Sequence, residues 1–410
     1  MNVLLVNTSE TTGGAAIACG RILKALRSEG VDALMMVRNA EGRSEGVIPV
    51  GNGLKKRWCF LRERAAIWAA KGFSRDNLFY VDIANSGIDI TRTRAFRKAD
   101  IIHLHWINQG FISLGGLQKI VASGKPIVWT MHDMWPFTGV CHHADNCRRY
   151  NAECHDCPLL PRRGFKDLAR DTFERKAGIL ENANITFVGC SKWLADLCSK
   201  SRIAEGHRVV SIPNPIDTAV YTPTDKAAVR RRLGLPEDKK LILFCSVKTT
   251  DIRKGMKYFQ DSCRILQDTA PGEYEVLILG KDSQTLGSTL ALPCHPLGYV
   301  GGAASLADYY NAADVFVTPS LQENLPNTIM EALSCGVPCV GFEIGGIPEM
   351  IDHMSNGYVA KYKSAEDLAH GIKWVMEEAD YPSLCHNARE KVVSTYSEQV
   401  VARQYISLFK

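Results

Sequence analysis

Residues 318–351 read TPSLQENLPNTIMEALSCGVPCVGFEIGGIPEMI, and the order of apolar, turn and helix-favouring residues in them decides the fold. Just before, Asp314–Thr318 (DVFVT) is a short apolar, β-branched run suited to a buried parallel strand. A loop, SLQEN, follows, and Pro326 stands where a first helical turn tolerates a missing N–H. The helix over NTIMEALSC stops at Gly336, with Pro338 just beyond. Cys339–Phe342 is the next strand, Gly345-Gly346 the next loop, and Pro348 opens another helix. Strand, loop and helix repeated in this order predict a parallel α/β sheet. Both helix N-termini then lie at the carboxyl ends of strands, where open α/β sheets bind ligands. Unpaired N–H groups and the helix dipole favour phosphate there. Gly345 and Gly346 would let backbone approach a phosphate with no Cβ in the way.

Two carboxylates bracket the first helix, Glu323 in the loop before it and Glu331 inside it. Acids beside a phosphate site are not phosphate ligands. They suit hydroxyl groups, because an ionised carboxylate accepts up to about four hydrogen bonds. A ligand with both phosphate and polyol, a nucleotide sugar, accounts for both features. Taken singly, each Glu reads as an ordinary solvated acid; the whole stretch reads as a site.

As a whole, these residues resemble the donor-site signature of the retaining, two-domain (GT-B) glycosyltransferases, which include glycogen synthases and bacterial exopolysaccharide transferases. In that group two Glu separated by seven residues bracket the loop and helix, and Glu323 and Glu331 match the spacing. The resemblance implies that Glu323 holds hydroxyls of the donor sugar and Glu331 the ribose hydroxyls. Where the family often has Gly-Phe-Gly after its first Glu, this chain has Asn324-Leu325-Pro326. The donor site therefore stands, and the donor sugar is left open.

With 410 residues, 46% hydrophobic and 23% charged, the chain has room for two globular domains. No run approaches the ~18 consecutive apolar residues of a membrane span. MNVLLVN enters a strand directly, so no signal peptide and a cytoplasmic setting are expected. A net charge of +5 does not mark a nucleic-acid binder. Of 14 Cys, most are scattered through apolar runs or helices, as buried thiols are. Four cluster in GVCHHADNCRRYNAECHDCPLL: Cys141, Cys147, Cys154 and Cys157. There is no internal repeat and no low-complexity tract.

From the start of the chain, Asn2–Val6 is a buried strand followed by a loop ending in Gly13-Gly14. The helix beyond carries Ile17, Leu23 and Leu26 on its inner side. Strand, diglycine and helix N-terminus form a weak anion-site pattern; in the resembling family this loop faces the cleft and touches donor diphosphate and acceptor. Leu54–Phe73 sets Leu54, Trp58, Leu61, Ala65 and Trp68 on one helical face among Lys55, Lys56, Arg57, Arg62, Arg64 and Lys71. Such a helix suits an anionic membrane surface, or packs on the core with a solvated basic face, the commoner case. Asp100–Trp106 is a strand on which His103 and His105 share a side. Ile127–Asp133 is another, ending in His132. The resembling family has a His at that place near the anomeric carbon and acceptor, which implies an acceptor-side role for His132 first and His105 second.

Pro213–Pro223 reads as a linker. The domains predicted are 1–217, with a Cys-rich insert at 139–160, and 225–395, with 396–410 crossing back as a helix to brace the first. In the loop Val247–Gly255, Lys254-Gly255 resembles the family's Lys-Gly, whose Lys neutralises donor diphosphate. The family's Arg a few positions earlier is not in its place, leaving Lys248 or Arg253 to substitute. Leu297–Val300, with Tyr299, resembles the segment that contacts the base.

The expected fold is thus α/β with GT-B architecture: two doubly wound Rossmann-like domains facing across a cleft. The expected activity is retaining transfer of a hexosyl group from a UDP- or GDP-linked sugar to a carbohydrate or lipid-linked acceptor, with Glu323, His132 and Lys254 at the centre. Cations and helix N-termini would stabilise the departing diphosphate. The chain has no Asp-x-Asp metal signature, so no catalytic metal is expected. A same-fold epimerase or phosphorylase would turn over donor without a carbohydrate acceptor, and a non-catalytic scaffold would bind donor without transfer. The Cys141, Cys147, Cys154 and Cys157 spacings suit a structural zinc. His142, His143 and His155 stand close enough in sequence to replace one Cys, and disulfides rank second in a reducing cytosol.

Overall fold

The computed structural model describes residues 1–42, 44–74, 78–161, 164–248 and 251–410, the side chain of Lys248 excepted. Two compact units divide the chain. Unit 1 comprises Met1–Asn214 together with Val401–Lys410, and unit 2 comprises Pro215–Val400.

Unit 1 is built on a seven-stranded sheet of β1 (Asn2–Ser9), β2 (Asp32–Asn39), β3 (Val47–Pro49), β4 (Ile101–Leu104), β5 (Ile127–Met131), β6 (Ile185–Gly189) and β7 (Arg208–Ser211). The strand order is β3-β2-β1-β4-β5-β6-β7, and the pairings are parallel. Parallel strands covered on both faces read as unbroken apolar runs. NVLLV obeys this: Leu4 and Val6 enter one core, with Trp129, Phe137 and Phe173. Val3 and Leu5 enter the other, with Ile22, Leu26, Val401 and Tyr405. Each such burial contributes about 1.5–3 kcal/mol.

Unit 2 repeats the plan with six strands: β8 (Lys240–Lys248), β9 (Tyr274–Lys281), β10 (Cys294–Gly298), β11 (Val315–Thr318), β12 (Cys339–Phe342) and β13 (Gly357–Ala360). Their order is β10-β9-β8-β11-β12-β13, again parallel. Strand order reverses between β1 and β4 in unit 1 and between β8 and β11 in unit 2. At such points the loops leave the sheet in opposite directions and open a crevice for ligand.

Two helices depart from the sequence expectation. In the helix Gly14–Ser28, Ala18, Ile22 and Leu26 form the buried i, i+4 stripe, whereas Ile17 is 38% exposed. Ile17 lies in the first turn, off that stripe. In the helix Gly53–Ala70, capped by Asn52 accepting from the Lys55 N–H, the buried residues are Cys59, Glu63, Arg64 and Ile67. The apolar face is turned outward: Leu54 is 85% exposed, Trp58 66% and Leu61 49%. Neither sequence expectation for this helix foresaw that the buried face would be charged. Glu63 accepts from the N–H groups of Ile83 (3.2 Å) and Ala84 (2.7 Å). Arg64 donates to the Leu78 carbonyl at 2.7 Å and pairs with Asp82. Those bonds satisfy backbone groups of a stretch whose ladder pairing is one isolated bridge, Val81 to Cys141. Arg64 and Lys71 are buried, so four of the six basic residues, Lys55, Lys56, Arg57 and Arg62, remain accessible.

Candidate active site

In unit 2 the reversal point lies between the ends of β8 and β11, and the two loops there meet. Lys254 ends a short turn after β8 (Ile252–Lys254), and its ammonium forms an ion pair with Glu323 from the loop after β11. Glu323 also accepts from the Ser320 hydroxyl at 3.1 Å. The Leu321 N–H donates to the Arg253 carbonyl at 2.7 Å. Gly255 has φ +68°, and a Cβ there would sit 1.7 Å from the Pro319 carbonyl oxygen. Only glycine permits that approach.

Gly345 and Gly346 act on the same loop. Gly345 has φ +58°, and a Cβ there would lie 1.8 Å from the Glu323 carbonyl oxygen. The Gly346 N–H donates to the Asn324 carbonyl at 2.8 Å. The expectation that these glycines clear space for phosphate thus meets a first use: they let the β12 loop buttress the Glu323 loop. The helix after them, Ile347–Met350, has four residues, too few for much dipole.

Asn324, Leu325 and Pro326, which follow Glu323, are buried. Pro326 is the N-cap of the helix Asn327–Ser334, one position earlier than its composition suggests. Glu331, on that helix, is buried and accepts from the Tyr310 hydroxyl at 3.0 Å. Arg253 is held by Asp251 at 2.7 Å, so it points its charge at a neighbour rather than at an open position. Tyr299 is 64% exposed beyond β10. The side chain of Lys248 lies outside the described residues.

In unit 1 the reversal point lies between β1 and β4. Gly13 has φ +93° and caps the helix Gly14–Ser28 without a side-chain bond. Two acids that sequence reading passed over hold the loop before it. Glu41 accepts from the hydroxyls of Thr12 (2.7 Å), Ser9 (3.1 Å) and Thr11. Glu10 accepts from the N–H groups of Glu41 and Gly42, both at 2.9 Å. Across the reversal, the Trp106 N–H donates to Asn7 Oδ1 at 3.0 Å.

Beside it, His105 Nδ1 and His132 Nε2 lie 3.0 Å apart. His103 Nε2 is 2.8 Å from the Thr130 hydroxyl, which is 2.8 Å from the Tyr405 hydroxyl. Burial pushes His132 down to about 4 and His103 to about 3, and His105 well down too. All three imidazoles are therefore neutral near pH 7. His132 follows β5 immediately.

The residue after it anchors a network that the sequence did not disclose. Asp133 accepts from the Trp106 indole N–H (2.8 Å), the Trp135 N–H (2.9 Å) and His142 Nδ1–H (2.7 Å). His142 Nε2–H then donates to Asp82 at 2.7 Å. Against the cost of burial, Asp133 and Asp82 raise His142 to about 10. Both nitrogens of His142 are thus committed to carboxylates. The available signal was the His-Asp pair closing β5; its partner lies 9 residues on.

Comparison with known proteins fits this architecture. A family model described as Glycosyltransferase Family 4 matches residues 12–220, and one described as Glycosyl transferases group 1 matches residues 239–378. The chain belongs to glycosyltransferase family 4. The provisionally named colanic acid biosynthesis glycosyl transferase WcaC of Escherichia coli K12 is 22% identical over the full length of both chains. An N,N'-diacetylbacillosaminyl-diphospho-undecaprenol alpha-1,3-N-acetylgalactosaminyltransferase of Campylobacter jejuni is 30% identical over 46% of this chain and 50% of its own. The chain spans about half the length of the first curated relatives it matches. Among solved structures, HepE of Anabaena, in complex with UDP-glucose, superposes with a TM-score of 0.63 at 15% identity, covering 100% of this chain and 99% of that one.

Proposed function

We propose that this protein moves a hexosyl group from a UDP- or GDP-linked sugar to a carbohydrate or lipid-linked oligosaccharide, with retained anomeric configuration, in surface polysaccharide biosynthesis. The observation that carries the reading is the pairing of Lys254 with Glu323 at the sheet reversal of unit 2, with the buried Glu331 on the next helix. A diphosphate calls for the cation, a sugar for one carboxylate and a ribose for the other. The relatives' names point the same way: WcaC to an exopolysaccharide, the Campylobacter enzyme to a polyprenol-linked acceptor, HepE to UDP-glucose.

Departure of a nucleoside diphosphate leaves negative charge on the leaving oxygen, and fixed positive charge there lowers the barrier without reorganisation. Lys254 supplies it. Glu323, freed from Lys254, accepts from donor hydroxyls, and neutral His132 hydrogen-bonds on the acceptor side with His105 behind it.

UDP or GDP should raise the melting temperature of the protein, and Glu331→Ala should cut that nucleotide's affinity roughly 10-fold, the loss of one charge-assisted bond of about 1.5 kcal/mol. Neither nucleotide binding, or equal affinity in the variant, would refute the donor assignment.

The same proposal extends to reversible attachment at the inner face of a membrane. Among the described residues no helix is long and apolar enough to cross one. Leu54, Trp58 and Leu61 nevertheless face solvent beside Lys55, Lys56, Arg57 and Arg62. Four cations at about 1 kcal/mol each near an anionic surface, with indole and leucine insertion, suffice for binding that salt releases. The protein should pellet with phosphatidylglycerol-containing vesicles at low salt, and Trp58→Ser with Leu61→Ser should abolish it. Equal pelleting with neutral vesicles would contradict this.

A further inference from the structure

The Cys-rich insert carries chemistry that the transfer reaction does not use. Between the turn Trp135–Phe137 and the helix Leu168–Leu180, the regular structure among the described residues is one three-residue turn, Arg149–Asn151, and one isolated bridge, Val81 to Cys141. Val140, Ala144, Tyr150 and Leu160 anchor the segment in the core of unit 1, and the cysteines are packed among them. The four cysteines, clustered within 17 residues of sequence, all line one small cavity of about 20 Å³. None is in a disulfide. A cavity of that size holds a single water-sized occupant, which needs ~10–15 Å³.

From this convergence we infer that Cys141, Cys147, Cys154 and Cys157 form a structural zinc site in which four thiolates complete the shell. Among the described residues no three His, Cys, Asp or Glu side chains are already posed as ligands. Zn–S bonds of about 2.3 Å therefore require the sulfurs to turn inward into the cavity they line. Zinc with four thiolates carries two net negative charges. Arg149 lines the same cavity, and its guanidinium bonds the His155 carbonyl at 3.0 Å and Asp156 at 2.9 Å. Behind the insert, the buried ammonium of Lys176 donates to the carbonyls of Trp135 (2.5 Å), Thr138 (2.9 Å) and Gly139 (3.4 Å). Both side chains place N–H donors beside the insert. His142 is excluded as a ligand because Asp133 and Asp82 hold both its nitrogens.

The site would fix the loop that presents His132. The Thr138 hydroxyl donates to the Cys141 carbonyl at 2.7 Å, and the Met134 N–H to the His142 carbonyl at 2.9 Å. Ordering Cys141 thereby orders His142, which orients Asp133 beside His132. Zinc acts here as a positioning element with no open coordination place.

Metal analysis of the full-length protein purified without chelator should give about one zinc per chain. Exchange for cobalt(II) should give the sulfur-to-metal charge-transfer bands of a tetrahedral thiolate site. Cys154→Ser should lose the metal, and Cys198→Ser, a buried thiol elsewhere, should keep it. Metal-free protein that also fails to take up zinc, two disulfides by mass after alkylation, or full zinc in Cys154→Ser would each overturn the inference. If Cys154→Ser does not fold, the cobalt spectrum and zinc count of the unaltered protein decide it.

Discussion

Replacing Glu323 by Gln is expected to lower sugar transfer roughly 10- to 100-fold while leaving the fold and nucleotide affinity unchanged. The side chains are nearly isosteric, and the amide keeps one acceptor oxygen for Ser320. The charge is lost. A hydrogen bond to a charged group is worth about 1.5–3 kcal/mol, which at 1.4 kcal/mol per decade gives that range. The ion pair with Lys254 is partly exposed, so its loss costs little stability. Steady-state transfer with saturating donor, alongside UDP or GDP titration, separates the effects. Parental turnover in the variant would remove Glu323 from the chemistry, and lost nucleotide affinity would show that the loop had collapsed instead.

Gly345→Ala should be more damaging, although Gly345 touches no ligand in the proposed scheme. An alanine at φ +58° costs about 1–2 kcal/mol, and its Cβ would stand 1.8 Å from the Glu323 carbonyl oxygen. That oxygen belongs to backbone and can give way only if the loop moves. The expected outcome is a destabilisation of about 2–4 kcal/mol with transfer below that of Glu323→Gln. Gly234→Ala is the control. Gly234 has φ +66° in the left-handed region and no atom within 4 Å of the added Cβ, so it should carry the strain alone. Equal melting of the Gly345 and Gly234 variants would show that contact with the Glu323 loop does not matter.

These two positions also mark how far sequence reading reached. The strands were legible because a sheet covered on both faces needs unbroken apolar runs, and DVFVT or NVLLV has no other economical fate. Lys254 and Glu323 were singled out by resemblance, through a Lys-Gly after one strand and a Glu pair after another, and their side chains meet. What Gly345 adjoins was not legible: a glycine cleared for phosphate and one cleared for a carbonyl look alike in sequence. The helix Gly53–Ala70 was legible only in part. Its apolar spacing suited a membrane surface or the core; the apolar face is exposed, and the interior makes its bonds through Glu63 and Arg64. Those bonds answer backbone groups at Leu78, Ile83 and Ala84, a need that no local pattern records. The link between Thr130 and Tyr405 spans 275 residues, beyond any periodicity.

The discontinuity of unit 1 gives that last contact a role in the order of assembly. Val401 and Tyr405 are buried in the core beside β1 and β2, yet the ribosome makes them after all of unit 2. Domains ordinarily mature in the order of synthesis. Here the second unit, continuous from Pro215 to Val400, has its complete sequence first. The sheet that forms from the first residues of the chain waits for its covering helix, with Val3, Leu5 and Ile22 lacking that neighbour in the interval. During synthesis, the half of the protein begun first is the half finished last.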